Sequence, residues 1–184
     1  MAQETVQVQI LRSRRKSVGI QIAGPGQILV RAPLRMPERE IRRVLESKRS
    51  WIEKQLARAQ ALQAQPGLSG AEIKALGQLA LERIPPRVQA WAARVGVSYG
   101  RITIRNQRTR WGSCSSKGNL NFNCLLMCCP DAVVDYVIVH ELCHRKEMNH
   151  SPRFWAEVER VLPDYRDALR WLKTDGEAVI ARMR

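Results

Sequence analysis

Three short segments near the start of the chain alternate apolar with polar residues. Their apolar positions are Val6, Val8 and Ile10, then Val18, Ile20 and Ile22, then Ile28 and Val30. Such alternation is typical of strands with one buried face, and the intervening stretches RSRRKS and AGPGQ carry turn signals. The pattern therefore predicts an antiparallel meander.

A helical period replaces this alternation after Pro37. Its apolar stripe consists of Ile41, Val44, Leu45, Trp51, Ile52 and Leu56. Arginines occupy much of the remaining surface, as expected for an amphipathic helix. The stretch QAQPGLSG at 63–70 predicts a loop, and a second helix follows from about Ala71 to Val95. We expect Pro85 and Pro86 to break or kink that helix, because proline lacks a backbone donor and clashes with the preceding turn.

The second half of the chain predicts two more strands and three more helices. RITIRN (101–106) and NLNFN (119–123) alternate like strands, the latter at an edge or in the interior of a sheet, and the turn-rich TRWGSCSSKG predicts a loop between them. From Pro130 to about Glu147 the helix is apolar nearly all round, which indicates burial. Further helices are predicted from Ser151 and after Pro163. We expect an N-terminal lobe over 1–62 and a second domain over 71–184, or one continuous domain.

Composition adds a strong positive charge to this picture. The chain has 184 residues and a net charge of +14, with 17 Lys/Arg against 7 Asp/Glu in residues 1–100 and 14 against 10 in the rest. Such a field attracts polyanions, although a solvated basic surface that aids solubility explains it equally well. No apolar run is long enough to cross a membrane, and the first residues do not read as a signal peptide. The five cysteines do not have the spacing of a small disulfide-bonded domain, so we expect their thiols to be reduced. We therefore expect a cytoplasmic protein.

All three histidines of the chain fall in HELCHRKEMNH, residues 140–150. Because residues four apart lie on one helix face, His140 and His144 can bind the same cation. Glu141, turned about 100° round the axis, suits a carboxylate that contacts a metal-coordinated water, as in HExxH metalloproteases. His150 matches the spacing of a third histidine ligand, and Glu157 is the rival. Glu147 fills the position at which that longer pattern has glycine, so we place the turn at Asn149.

The sequence also resembles a known family, the YgjP-like metallopeptidases, a zincin-like group related to SprT-like proteases. RTRWGSCSSKGNLNFN (108–123), YVIVHELCH (136–144), NHSPRFW (149–155) and PDYRDALRWLK (163–173) carry the resemblance, together with LRSRRKSVGIQI, VRAP and KRSWIEKQL near the start. It implies an α+β, zincin-like fold in which a small antiparallel sheet packs on helices, including the buried HExxH helix. It also implies one Zn²⁺ bound by His140, His144 and His150, with Glu141 as the acid/base that hydrolyses peptide or protein substrates.

Two other functions stay open at this stage. The RWGSC loop has two interpretations. In one, Arg108 or Arg110 stabilises an oxyanion or binds a phosphate. In the other, the loop is structural, and Trp111 and Gly112 anchor a turn between two strands. Phosphate binding would suit a metal-dependent nucleoside triphosphate (pyro)phosphohydrolase, although no Gly-rich phosphate loop is present. The basic N-terminal lobe would also suit a nucleic-acid-associated protease of SprT-like type, or binding of a nucleotide. The sequence does not determine the cleavage preference or the oligomeric state.

Overall fold

The structure is a computed structural model that describes residues 6–183, so the first five residues of the predicted 1–62 lobe and the last residue of the chain lie outside it. The chain divides into two compact units at the junction of Pro66 and Gly67. None of the helices among the described residues is both long and apolar enough to cross a membrane.

The first unit opens with a three-stranded sheet. Its strands are β1 (Gln7–Ser13), β2 (Gly19–Gly24) and β3 (Gln27–Pro33), in the order β1-β3-β2. β2 and β3 pair antiparallel, but β1 runs parallel to β3, so the predicted antiparallel meander is wrong. The alternation is silent about strand order and direction. It also predicts a buried face for β1, which is wrong, because Val6 and Val8 are 42% and 45% exposed. The most buried strand, β3, takes the central place.

Two helices cover the buried face of this sheet. They are α1 (Glu38–Ser47) and α2 (Arg49–Ala64), where the pattern predicted a single helix. The break lies at Lys48, whose φ of −109° and ψ of 9° leave the helical region. The apolar period continues across Lys48, so the sequence gives no sign of the break. The small core contains Ile28, Val30, Ala32, Ile41, Ile52 and Leu56.

The second unit begins with the long helix α3 (Gly70–Val95). The Ser69 hydroxyl accepts from the Glu72 backbone N–H, and the Glu72 carboxylate accepts from the Ser69 backbone, which completes a capping box. Gly96, in the left-handed region at φ 77°, ends the helix. The helix continues through Pro85 and Pro86, so the predicted break does not occur. Ile84 before the prolines and Val88 after them are fully buried, and their packing in the core stabilises the helix on both sides.

A second small sheet follows, built from β4 (Ile102–Arg105), β5 (Gly112–Cys114) and β6 (Leu120–Asn123). β6, which contains most of NLNFN, is the central strand, so this segment lies in the interior of the sheet and not at its edge. It pairs parallel with β4 and antiparallel with β5. The sheet is therefore mixed and not antiparallel as expected. β5 is an edge strand inside the stretch that we predicted as a loop, since three residues are too few to show alternation.

The remaining chain is helical. A turn of 3-10 helix (Cys124–Cys128) leads into α4 (Asp131–Cys143), α5 (Pro152–Val161), α6 (Tyr165–Thr174) and α7 (Gly176–Ala181). α4 is buried on nearly all sides and ends four residues before the predicted Glu147. The mixed α+β architecture and the burial of the HExxH helix are as predicted.

A polar network fixes the start of α4 against α3. The Arg87 guanidinium donates to Asp131 at 2.6 Å and to Asp135 at 3.0 Å, and the Trp91 indole N–H donates to Asp135 at 2.8 Å. Arg87 and Asp135 are largely shielded from solvent, with 22% and 23% of their side chains exposed. The helix that carries His140 and His144 is thereby held in register with the long helix beneath it.

Candidate metal centre

The three histidines converge at the C-terminal end of α4. His140 lies in its last turn, His144 caps it, and His150 lies just before α5. Candidate ligand atoms of the three residues lie within 4.8 Å of one another. The turn that returns His150 to the helix contains no left-handed residue, since no described residue other than glycine has a positive φ. Our placement of such a residue at Asn149 is therefore wrong, and the backbone N–H groups of Lys146 and Glu147 close the turn on the Cys143 carbonyl.

The nitrogen spacing fits a single divalent ion. The Nε2 atoms of His140 and His150 lie 3.0 Å apart. Two nitrogens that each lie 2.0–2.1 Å from one tetrahedral zinc ion are separated by about 3.3 Å. The observed separation is close to that value, so these imidazoles are able to hold one metal ion.

Hydrogen bonds at the far side of two rings direct the free nitrogens towards the centre. His144 donates from Nδ1 to the Glu147 carbonyl oxygen at 3.1 Å, which leaves its Nε2 with a free lone pair. Nδ1 of His140 lies 3.4 Å from the Tyr136 hydroxyl. Such outer partners are typical of metal-binding histidines. Tyr136 was not predicted as a site residue, although its place one helical turn before His140 was visible in the sequence.

Phe154 forms a common platform beneath the three histidines. Its ring centroid lies 4.8 Å from those of His140 and His150 and 4.6 Å from that of His144. The side chain is fully buried. Trp155 stacks on His150 with an interplanar angle of 29°. The start of α5 thus sets the position of all three rings.

Glu141 is buried and packs against the backbone of β5. It is only 6% exposed. A Cβ atom at Gly112 would lie 2.7 Å from Glu141 Oε1 and 2.8 Å from Glu141 Cγ, closer than any real contact. Gly112 thus leaves the space that the carboxylate of Glu141 occupies. The glycine of RWGSC, which we considered only as a turn anchor, is part of the site.

Burial changes the pKa values of His140, His144 and Glu141 in the direction that favours their neutral forms. It lowers the pKa of His140 to about 3, with smaller effects from His144 and His150, and it also lowers that of His144. It raises the pKa of Glu141 to about 8, against the opposing charge of Arg110. Neutral imidazoles are the form that binds metals.

Two cavities adjoin Glu141. The metal cleft, about 250 Å³, is lined by Gly112, Ser113, Cys114, His140, Glu141, His144, Met148 and His150. The side cavity, also about 250 Å³, is lined by Thr109, Arg110, Trp111, Gly112, Tyr136, Val137, His140, Glu141, Leu169 and Leu172. Arg110 thus lies beside the predicted centre, whereas Arg108 is exposed and lines neither of these cavities.

Glu157, the rival third ligand, is engaged elsewhere. Its carboxylate accepts from Lys146 Nζ at 3.0 Å and from Arg160 Nη2 at 2.9 Å. It does not join the group of three histidines. The structure therefore brings His150, and not Glu157, to the centre.

Buried Asn123 at the end of β6 holds the loop that precedes β5. Its side-chain amide donates to the carbonyl oxygens of Gln107 at 2.7 Å and Arg110 at 2.8 Å. Its backbone N–H donates to the Trp111 carbonyl at 2.8 Å. These three bonds fix Arg110, Trp111 and Gly112 beside Glu141, a function of NLNFN that its alternating pattern does not reveal.

Comparisons with known proteins were made for the whole sequence. A family model described as "YgjP-like, metallopeptidase domain" matches residues 16–78 and 71–175. The metallopeptidase zymogen of Pyrococcus abyssi abylysin is 22% identical, with a TM-score of 0.45, over 50% of this chain and 95% of that chain. The zymogen of Methanocaldococcus jannaschii jannalysin is 21% identical, with a TM-score of 0.44, over 51% of this chain and 95% of that chain. TM-scores below 0.5 describe only a partial likeness. No curated protein matches the sequence.

Proposed function

The chain belongs to the YgjP-like metallopeptidase family, and on that premise we propose that His140, His144 and His150 bind one zinc ion and that Glu141 is its catalytic acid/base. Membership confirms the family resemblance in the sequence, and with it the function of a metal-dependent peptidase. The assignment of the individual residues and of zinc is the proposal.

The observation that carries the proposal is the convergence of three imidazoles beside one buried carboxylate. His140 and His150 bring their Nε2 atoms to 3.0 Å, and the hydrogen bond from His144 to Glu147 leaves its Nε2 free. When bound, zinc polarises the scissile carbonyl and lowers the pKa of the attacking water. Three protein ligands are the number found in catalytic zinc sites, which keep a position for solvent or substrate.

Glu141 is positioned to move the proton in this reaction. It adjoins His140 in the chain, lines the same cleft and occupies the space that Gly112 leaves beside β5. In peptide hydrolysis, Glu141 takes a proton from the attacking water and returns it to the nitrogen of the leaving amine as the C–N bond breaks. Arg110, which lines the side cavity, is the arginine that we retain as a substrate contact.

The edge strand β5 supplies a path for the peptide. All three of its residues line the metal cleft, and among residues 6–183 the strand pairs on one side alone, with β6. An unpaired strand edge binds an extended peptide through backbone hydrogen bonds. The scissile bond of a peptide aligned on β5 would pass beside Glu141 and the three histidines.

Three variants test the residue assignments. Glu141→Gln should retain about one zinc per chain while kcat falls by about 10²–10⁴-fold, the usual contribution of a general acid/base. His150→Ala should lose zinc, whereas the matched change Glu157→Gln should keep both zinc and activity. Elemental analysis and hydrolysis of quenched peptides provide the readouts. Retained activity in Glu141→Gln, or full zinc in His150→Ala, would contradict the corresponding assignment.

A second role, binding of nucleic acid, is supported by the charge of the first unit. Residues 1–66 contain 13 Lys/Arg and 5 Asp/Glu. Several arginines on its surface are exposed, including Arg14, Arg35, Arg39 and Arg43. We propose that they contact phosphates, in which case log K for duplex DNA falls linearly with log salt, with a slope of about −0.9 per contact. Arg39→Ala with Arg43→Ala should reduce the slope, and an unchanged slope would exclude these two contacts.

The thiols support the cytoplasm as the place of action. All five cysteines are free. Free thiols persist in reducing compartments. Fractionation of cells that express the tagged chain tests this proposal, and recovery from an oxidising compartment would contradict it.

A further inference from the structure

We propose that the side cavity is the specificity pocket of the peptidase and that it receives one large apolar side chain next to the scissile bond. This inference rests on the proposed function and adds the class of substrate. The cavity adjoins the metal cleft, its walls are mainly apolar, and its size suits one side chain.

The position of the cavity connects it with the reaction. Gly112, His140 and Glu141 line both the side cavity and the metal cleft. A peptide whose scissile bond lies beside Glu141 therefore has the side cavity within reach of an adjoining side chain. Because successive side chains of an extended peptide point to opposite sides, one of them enters the cavity and its neighbours point away.

The lining determines the preferred side chain. Val137 on α4 and Leu169 and Leu172 on α6 supply aliphatic walls, and the rings of Trp111 and Tyr136 supply two more. The volume of about 250 Å³ is smaller than the roughly 300–1,000 Å³ of sites that hold whole small molecules. The cavity therefore suits a single Leu, Met or Phe side chain better than a nucleotide.

The walls are held in place before substrate binds. Three hydrogen bonds from Asn123 fix residues 107–111, as described above, and Trp111 packs against the start of α7. A Cβ atom at Gly176 would lie only 3.2 Å from Trp111 Cζ2, which shows how closely the indole lies against that backbone. A preformed pocket of this kind discriminates between side chains by size.

Arg110 adds a charge preference at the exposed side of the cavity. Arg110 lines the cavity, and its side chain is exposed to solvent. A Lys or Arg side chain entering the cavity meets this like charge. The preferred substrates are therefore peptides with a large apolar residue, and not a basic one, at this position.

Cleavage of a peptide series tests the proposal. The peptides differ at one residue next to the cleaved bond, which is Ala, Leu, Phe or Lys, and kcat/KM is measured for the zinc-loaded protein. Leu and Phe should exceed Ala and Lys by about tenfold or more, since one methylene in an apolar pocket is worth about 10–200-fold. Leu172→Trp, which fills the cavity, should reverse the order of Phe and Ala. Leu172→Ala, which enlarges it, should raise the relative rate for Phe.

Leu81→Trp on α3 is the matched control, because Leu81 is 55% exposed and lies outside the cavity. It should leave the preference unchanged. A wild-type protein that cleaves all four peptides equally, or a preference that neither Leu172 variant alters, overturns the pocket while the peptidase function stands. Failure to cleave any peptide overturns both. Calorimetric binding of the same peptides to Glu141→Gln provides a second readout, in which equal affinities for Leu and Ala peptides would also overturn the pocket.

Discussion

Gly112→Ala is the change that most directly tests how the site is built. Gly112 begins β5 and has a φ outside the left-handed region, so alanine is compatible with its backbone. The added methyl group, however, would lie 2.7 Å from Glu141 Oε1, 2.8 Å from Cγ and 3.1 Å from Cδ. The effect of the variant is therefore steric and is directed at a single side chain.

The size of the effect follows from these distances. Carbon atoms in favourable contact are about 3.5–4.0 Å apart, so Glu141 or β5 must move by roughly 0.7 Å or more. Glu141 is buried, so its displaced carboxylate would have to enter one of the two adjoining cavities and leave its present position. Overpacking of this kind costs about 1–3 kcal/mol of folding free energy. A misplacement of about 1 Å in an active site lowers the rate by about 10²-fold. We therefore expect kcat to fall by about 10–100-fold while zinc stays bound.

The assay compares peptide hydrolysis, zinc content and Tm. Gly77→Ala on α3 is the matched control, because a Cβ there meets nothing within 4 Å and alanine in a helix is more stable than glycine by about 0.5–1 kcal/mol. In a Glu141→Gln background, Gly112→Ala should lower Tm as before but should not reduce the residual rate further. Full activity of Gly112→Ala, or a rate loss of equal size in both backgrounds, would refute positioning of Glu141 by Gly112.

Four further outcomes are expected. Phe154→Ala removes the platform beneath the histidines, so it should lower the free energy of unfolding by about 3–5 kcal/mol and weaken zinc binding. Denaturation and metal titration measure the two effects, and an unchanged zinc affinity would count against the platform. Chelation should lower Tm, because a metal at 100 times its Kd stabilises the folded state by about 2.7 kcal/mol; an unchanged Tm would contradict this coupling. Asp135→Asn weakens the bonds from Arg87 and Trp91 and should cost about 1–3 kcal/mol, which denaturant unfolding measures. Hydrogen bonds from Ser69 lower the pKa of Glu72, so its contribution is present at neutral pH and is lost as pH falls through the lowered pKa; the Tm difference between wild type and Glu72→Gln should therefore shrink in acid.

The sequence predicted that the three histidines come together because they are local in the chain. His140 and His144 lie one turn apart, and His150 follows within the same short segment. Helical periodicity alone places the first pair on one face. The burial of α4 was equally readable, since apolar residues surround it. No long-range contact had to be known for these inferences.

The parts of the site that were missed depend on contacts between distant segments. Gly112 meets Glu141 across 29 positions of the chain, and Asn123 bonds back to residue 107. Neither partner is recognisable from spacing, because a turn-rich segment suits a solvent-exposed loop equally well. Strand directions failed for a similar reason. The alternation in β1 carries no information about its parallel partner β3, which lies 20 positions further along the chain in the register Val8 to Ile28.

The position of Gly112 explains how a short segment with no acid/base of its own belongs to the chemistry. Its backbone is at once the start of the edge strand, one side of the space that holds Glu141, and the boundary shared by the metal cleft and the side cavity. A side chain at this position would press on the carboxylate and narrow both cavities. Trp111 before it lines the side cavity and Ser113 after it lines the metal cleft. A peptide bound along β5, as we propose, would therefore have one cavity on each side of Gly112. If Glu141 is the base and the side cavity is the specificity pocket, as we propose, a change at Gly112 should disturb both the reaction rate and the choice of substrate side chain.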